Sequence, residues 1–442
     1  MLKRLLTVAG LLLCICLQAQ NYYMPSPEGF GAAATGGGNA TPVIVSTYTD
    51  LKAKINDPSV GVILVSGMIT IPDGGSISAV VNNKSILGLP GARLVNTTKT
   101  QSGSGILYLK NGSSNVIIRN LVFEGPGAYD VDGRDNLTSD GCIDLWVDHC
   151  EFQDGIDGNF DIKGNSDNVT VSWCKFTYLK PPTAGGSGGS DDHRFSNLVG
   201  SGSSDAPADK HYSVTFQNCY WANGCRERMP RARNAELHIL NCYYNTNVSS
   251  SRALGLGGGV NNLTCYVENS HFASIGTVYK NYNSTDGGTV DVNFTGCLNG
   301  AANEGSVSMP EYSYTVLPVN DVETFIPNSN CGAGATLQVT AAGEISSPCA
   351  PVSTDEDHAS SSIKFYPAVI QETLFIDFPD TKVLDPFNII IYSSSGQIVY
   401  SSTNIVAANG RIALNLTSIT KGIYFCHLQS EQSGITRKII KG

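Results

Sequence analysis

The chain has 442 residues, with 28 basic and 38 acidic side chains and a formal charge of −10. That length exceeds the usual single domain and predicts two folded units, and the acidic balance argues against a nucleic-acid partner. An acidic protein that meets an acidic polymer must offset repulsion locally, with clustered cations or a bound divalent ion.

The chain opens as a signal peptide over residues 1–20: Lys3 and Arg4 supply the positive flank, Leu5 to Leu17 the apolar stretch, and Leu17-Gln18-Ala19 a small-residue cleavage site. The apolar run is too short to span a membrane, so a mature protein outside the cytoplasm is expected. Of the 13 cysteines, Cys14 and Cys16 leave with this segment. The odd remainder cannot all pair within the chain. No CxxC spacing with a partner histidine is present, so a zinc site is not expected. Cys331 and Cys349 flank a short loop and are the expected disulfide.

After one helix read at Thr47 to Ile55, a repeat runs through the middle of the chain. Short β-rich runs end at Asn120, Cys150, Cys174, Cys219, Cys242, Ser270 and Cys297, spaced 30, 24, 45, 23, 28 and 27 residues apart. A period in the twenties, with alternating strands and Gly/Asn/Asp turns, predicts an all-β solenoid with one coil per repeat and parallel stacking. The thiols then read as small core residues rather than nucleophiles. The interval of 45 holds Pro181 to Lys210, rich in Gly, Ser and Asp and carrying His193 and Arg194. It reads as a wall of a binding cleft, with a plain surface loop as the alternative.

Residues 346–362 turn to Ser, Pro, Asp and Glu and read as a linker between a first domain at 21–345 and a second at 363–442. The second is a series of short strands with turns at Ser395-Gly396 and Lys421-Gly422, which suits a small C-terminal β-sandwich. A carbohydrate-binding module is the plain reading of such a domain.

Two clusters carry candidate chemistry. Asp130, Asp132, Asp135, Asp140, Asp144, Asp148, Asp154, Asp157 and Asp161 fall within 32 residues. On adjacent coils, such carboxylates converge on one hard cation, and oxygen ligands favour calcium; solvated turn aspartates are the alternative. The second cluster is Arg226-Glu-Arg228-Met-Pro-Arg231-Ala-Arg233. Its guanidiniums suit the repeated carboxylates of a polymer, or a solvated turn.

Four blocks resemble the signatures of polysaccharide lyase family one, the pectate lyases: Trp146-Val-Asp-His-Cys150, Asp157-Gly-Asn-Phe-Asp-Ile-Lys-Gly164, Asn168-Val-Thr-Val-Ser-Trp173 and Arg228-Met-Pro-Arg-Ala-Arg233. The resemblance implies a right-handed parallel β-helix and calcium-dependent β-elimination on polygalacturonate. It makes Asp135, Asp157 and Asp161 calcium ligands, Arg228 the catalytic base, and Lys180, Arg233 and Arg231 substrate-binding residues. Where the family places a further ligand, this chain has Gly133, with Asp132 the possible substitute. Trp146, Asp148 and His149 are structural by the same likeness. Cations around Arg228 (Arg231, Arg233, Lys180 and calcium) would favour its neutral form, and an alkaline optimum follows. A hydrolytic polygalacturonase would use paired acids about a water molecule. Asp191-Asp192-His193 only echoes its motifs. Pectin lyase, which acts on methylated substrate, would not need the carboxylates.

The last domain resembles the sorting domain of the type IX secretion system, through Phe365-Tyr-Pro367, Ile391-Tyr-Ser-Ser-Ser-Gly396, Lys421-Gly-Ile-Tyr424 and Lys438-Ile-Ile-Lys441. That likeness implies export by the secretion machinery through periplasm and outer membrane, then release or surface attachment. A monomer is expected.

Overall fold

The computed structural model describes residues 22–349, 363–367, 369–378, 386–393, 397–408, 410–429 and 434–442. They fall into two units, within 21–350 and 351–442. The signal peptide read at 1–20, most of the linker read at 346–362 and the Ser395-Gly396 turn lie outside the described residues. No helix among the described residues is long and apolar enough to cross a membrane.

The first unit is a right-handed parallel β-helix of about nine coils. Each coil visits three parallel sheets, of ten, eight and eight strands among the described residues. In one coil, Ile143–Asp148 belongs to the first sheet, Glu151–Gln153 to the second and Phe160–Lys163 to the third. The sequence repeat corresponds to the first sheet, where Val116, Leu145, Val169, Val214, Leu237, Cys265 and Val292 stack in register.

The recurrent corner has a backbone cause. Asn120, His149, Trp173, Asn218, Asn241 and Asn269 take φ between 42° and 58°, the left-handed region that Asn tolerates best among residues with a side chain. The residue after each corner turns inward, so Cys150, Cys174, Cys219 and Cys242 are fully buried. Burial pushes the Cys174 and Cys242 thiols far up, which leaves them inert. Two positions further on, Phe123, Phe152, Phe176, Trp221, Tyr244 and Phe272 stack at centroid distances of 4.5 to 5.4 Å. This ladder fills the core under the second sheet.

Coils before Val116 were not visible in the repeat because Val62–Val65 and Asn82–Gly88 end without an Asn–thiol corner. The expected helix is present as Tyr48–Asn56, with Thr47 capping the Asp50 amide and Leu51 and Ile55 buried against the first coils. On the outer face of the first sheet, Trp146 and Trp173 are covered by Tyr22, Met24 and the segment carrying Leu317, Val322 and Ile326. Asp148 lies there in a closed network with Arg119, His149 and Ser172, which agrees with a structural role. Cys331 and Cys349 are disulfide-bonded, and the other nine described cysteines are free. Ser346 still pairs within a two-stranded ribbon.

The second unit has a three-stranded sheet, Lys364–Tyr366, Thr373–Asp377 and Arg411–Asn415. A five-stranded sheet is built on Phe387–Ser393, Gly422–Gln429 and Gly434–Lys441. Leu374, Ile376, Ile412 and Leu414 from one sheet meet Ile389, Ile391, Cys426 and Leu428 from the other in a common core. The alternating burial of Arg411–Asn415 is the pattern of a sandwich strand.

Candidate active site

Loops that join the second sheet to the third project from the same edge of successive coils. They span 125–136, 154–159, 178–197 and 222–230. Asp132 and Asp135 leave the first, Asp157 the second, His193 and Phe195 the third, and Arg228 the fourth. Asp161 leaves the outer face of Phe160–Lys163, because the flanking Phe160 and Ile162 fill the core. All seven side chains line one cavity of about 700 Å³.

Register sets the spacing. Asp161 pairs with Thr138 on one side, and on the other the ladder runs Ile162 to Val199 and Leu198 to Arg231. Asp161 and Arg231 are thus two rungs apart, about 10 Å at the backbone. Carboxylates and guanidiniums therefore share one groove.

The acidic side is short of positive charge. Asp135 and Asp161 are each 5% exposed. Thr138 donates to one oxygen of Asp135 at 2.9 Å and the Leu198 amide to Asp161 at 3.0 Å, but Asp135 Oδ1 is buried without a hydrogen-bond partner. Gly158 lets the two carboxylates converge: a Cβ there would lie 2.6 Å from Asp135 Oδ1 and 3.2 Å from Asp161 Oδ1. Burial, then the charge of Asp157, pushes Asp135 up to about 6. Burial and the charge of Asp135 hold Asp161 well above the usual carboxylate range. Buried, mutually repelling oxygens with one lone pair unsatisfied fit a hard dication. Asp132 is exposed at the rim, where Gln101 donates to it at 3.3 Å. A Cβ at Gly133 would come within 2.8 Å of Ile156 Cγ2 and 2.9 Å of Ser104 Oγ, so a carboxylate there would require those side chains to shift.

A stability prediction follows. Asp135 is raised in the folded state, so below its ordinary value of 3.8 its contribution is fully present, and it is lost as pH rises through about 6. Metal-free protein should therefore lose on the order of 3 kcal/mol from this group between about pH 4 and pH 7. Thermal melts in chelator should record the fall. Asp135→Asn should make it shallower, leaving the part that the raised Asp161 supplies, and an undiminished slope would contradict the assignment.

The basic side is more neutralised than the sequence implied. Arg231 contacts Asp286 and stacks its guanidinium 4.1 Å from the Tyr282 ring. Arg233 lies 3.2 Å from the same carboxylate, and Arg226 donates to the Asp192 carbonyl. The Arg228 guanidinium has no hydrogen-bonded or ion-paired partner among the described residues, although the Asn197 amide donates to the Arg228 carbonyl at 2.6 Å. The guanidinium lies 4.7 Å above the Phe195 ring. Arg231 and Arg233 line an adjoining cavity of about 210 Å³ that shares Arg228, Phe195, Leu198 and Ser201 with the first. Lys180 lines neither cavity. It pairs with Glu124 at 3.1 Å and donates to the Gly125 carbonyl at 2.7 Å. The like-charge crowding expected around Arg228 is accordingly reduced by Asp286 and Glu124.

Within 181–210, Gly188, Ser190, His193, Phe195, Leu198 and Ser201 all face the main cavity, so the long interval does wall the cleft. Sequence reasoning left Phe195 and Asp286 unassigned. Phe195 carried a signal in the outsized interval; Asp286, in a Gly-rich turn beyond the Arg cluster, carried none.

Residues 5–336 match the family model described as pectate lyase. Residues 364–442 match the secretion system C-terminal sorting domain, which places the protein outside the cell, secreted or at its surface. The chain is 33% identical over 250 residues to a pectate trisaccharide-lyase of Thermotoga maritima, covering 53% of this chain and 60% of the relative's length. It is 30% identical over 322 residues to pectate lyase A of Emericella nidulans, covering 70% of this chain and 86% of that one. A Bacillus subtilis pectate lyase variant shares the fold, with TM-score 0.53 at 20% identity over 72% of this chain and 99% of the other. So does the cedar pollen allergen jun a 1, with TM-score 0.53 at 20% identity over 70% and 92%.

Proposed function

The chain belongs to the pectate lyase family, and from that premise we propose that it cleaves polygalacturonate by calcium-dependent β-elimination, releasing 4,5-unsaturated oligogalacturonates. The observation that carries the proposal is a partnerless buried carboxylate oxygen on Asp135 sharing one cavity with the unpaired guanidinium of Arg228.

In this reading Asp135, Asp157 and Asp161 hold the calcium ion, and Asp132 approaches from the rim. Calcium, when bound, supplies positive charge that stabilises electron density developing on the uronate carboxylate. Arg228, held over Phe195, takes the C5 proton. The C5–H electron pair becomes the C4–C5 double bond, and the C4–O bond breaks towards a leaving alkoxide that is protonated from solvent. Arg231 and Arg233, steadied by Asp286, bind neighbouring carboxylates of the polymer. Lys180 serves the same purpose once a uronate displaces Glu124. Residues 1–20 act as signal peptide, 346–362 as linker and 363–442 as the export domain of a monomeric enzyme.

The test is incubation with polygalacturonate, with and without chelator, following near-ultraviolet absorbance. Absorbance that grows only with calcium is the expected result; reducing ends without absorbance would indicate hydrolysis and sink the lyase reading. A guanidinium is almost fully protonated at neutral pH, so the rate should climb towards alkaline pH. A maximum at mildly acidic pH would count against Arg228 as the base.

A further inference from the structure

His193 has no role in the reaction just described, yet it is held in an unusual setting. It is 6% exposed, and neither ring nitrogen makes a hydrogen bond. Its Nδ1 faces Asp130 Oδ1 and its Nε2 faces Asp157 Oδ1, each at 3.3 Å. One nitrogen of His193 and one oxygen from each of Asp130 and Asp157 lie within 4.8 Å of one another.

A buried imidazole without a hydrogen bond, between two carboxylates, would normally relax into one. A metal ion gives the arrangement a purpose. For the Nε2–Asp157 pair, a cation about 2.1 Å from both atoms spans the 3.3 Å separation at an angle of about 104°, which is ordinary first-row coordination. Asp130, across the ring at Nδ1, offers an oxygen within 4.8 Å of the other two ligand atoms. Imidazole is a borderline donor that suits zinc, nickel or cobalt better than calcium. Asp130 is itself fixed: the Ser190 amide donates to its carboxylate at 2.8 Å and the Gly188 amide to its carbonyl at 2.8 Å. Gly188 is required there, because a Cβ would lie 2.0 Å from Asp130 Oδ1.

We propose that Asp130, Asp157 and His193 form a second divalent-cation site, selective for a borderline first-row metal over calcium, that pins the 178–197 loop to the coils beneath it. The site shares Asp157 with the calcium reading but stands on His193, so the two ions compete.

The test uses the full chain, stripped with chelator and titrated separately with Co2+ and Ca2+ by calorimetry, with visible absorption reporting the cobalt environment. His193→Gln should weaken Co2+ at least about tenfold while changing Ca2+ affinity by less than about threefold. Asp161→Asn should do the reverse, and far-ultraviolet circular dichroism with a single cooperative melt certifies both folds. The proposal is overturned if the wild type takes up no Co2+, if His193→Gln binds it as the wild type does, or if that variant loses both ions equally. Should the wild type ignore calcium, the calcium reading falls, while the cobalt comparison still decides this site.

Discussion

Arg228→Lys should lower kcat on polygalacturonate by about a thousandfold, the range of a lost proton acceptor, while KM moves only a few-fold. Lysine keeps the positive charge but replaces a planar fork with a compact ammonium on a different reach. The contact of the guanidinium with Phe195 at 4.7 Å goes with it. Arg228 occupies the left-handed region at φ 60°, and lysine meets the same backbone constraint, so melting temperature should be little changed. Retention of kcat within about tenfold would remove Arg228 from the role. Loss expressed in KM alone would make it a substrate clamp instead.

Asp161→Asn should produce two effects of opposite sign. The calcium concentration for half-maximal activity should rise at least about a hundredfold, because a ligand is lost outright. Metal-free protein at pH 8 should melt higher than wild type, since a buried charge that repels Asp135 is gone. The amide oxygen still accepts from the Leu198 amide, so the fold has no reason to suffer. Weaker calcium together with a less stable metal-free protein would mean that Asp161 supports the coil rather than an ion.

Much of this site was legible because the repeat turns sequence distance into stacking order. Once strands ending in Asn or Cys are read as coils, the carboxylates of 135–161 and the arginines of 228–233 must leave turns only two coils apart. Individual pairings were harder. Nothing local links Arg231 to Asp286, which come together because Asp286 sits beyond the next coils at the same edge. Lys180 was read as a substrate clamp, but its retention by Glu124 depends on a side chain 56 residues earlier. His193 carried a visible signal, the long interval, without any clue to its carboxylate neighbours. Helical and sandwich elements needed only periodicity, as Tyr48–Asn56 and Arg411–Asn415 illustrate.

The parallel ladder gives the molecule the character of a graduated ruler. Each turn advances about 4.8 Å, and the hairpinned excursions between graduations do not enter the measurement. That is why a 45-residue interval could be accommodated between Cys174 and Cys219 while Val171 and Phe216 remain side by side. Chain length added at such a margin would reshape the wall around the polymer without altering the pitch between acid and base. Deletion of one whole graduation would do the opposite, leaving the carboxylates of 135–161 and the arginines of 228–233 intact and bringing the two halves of the chemistry one mark too close.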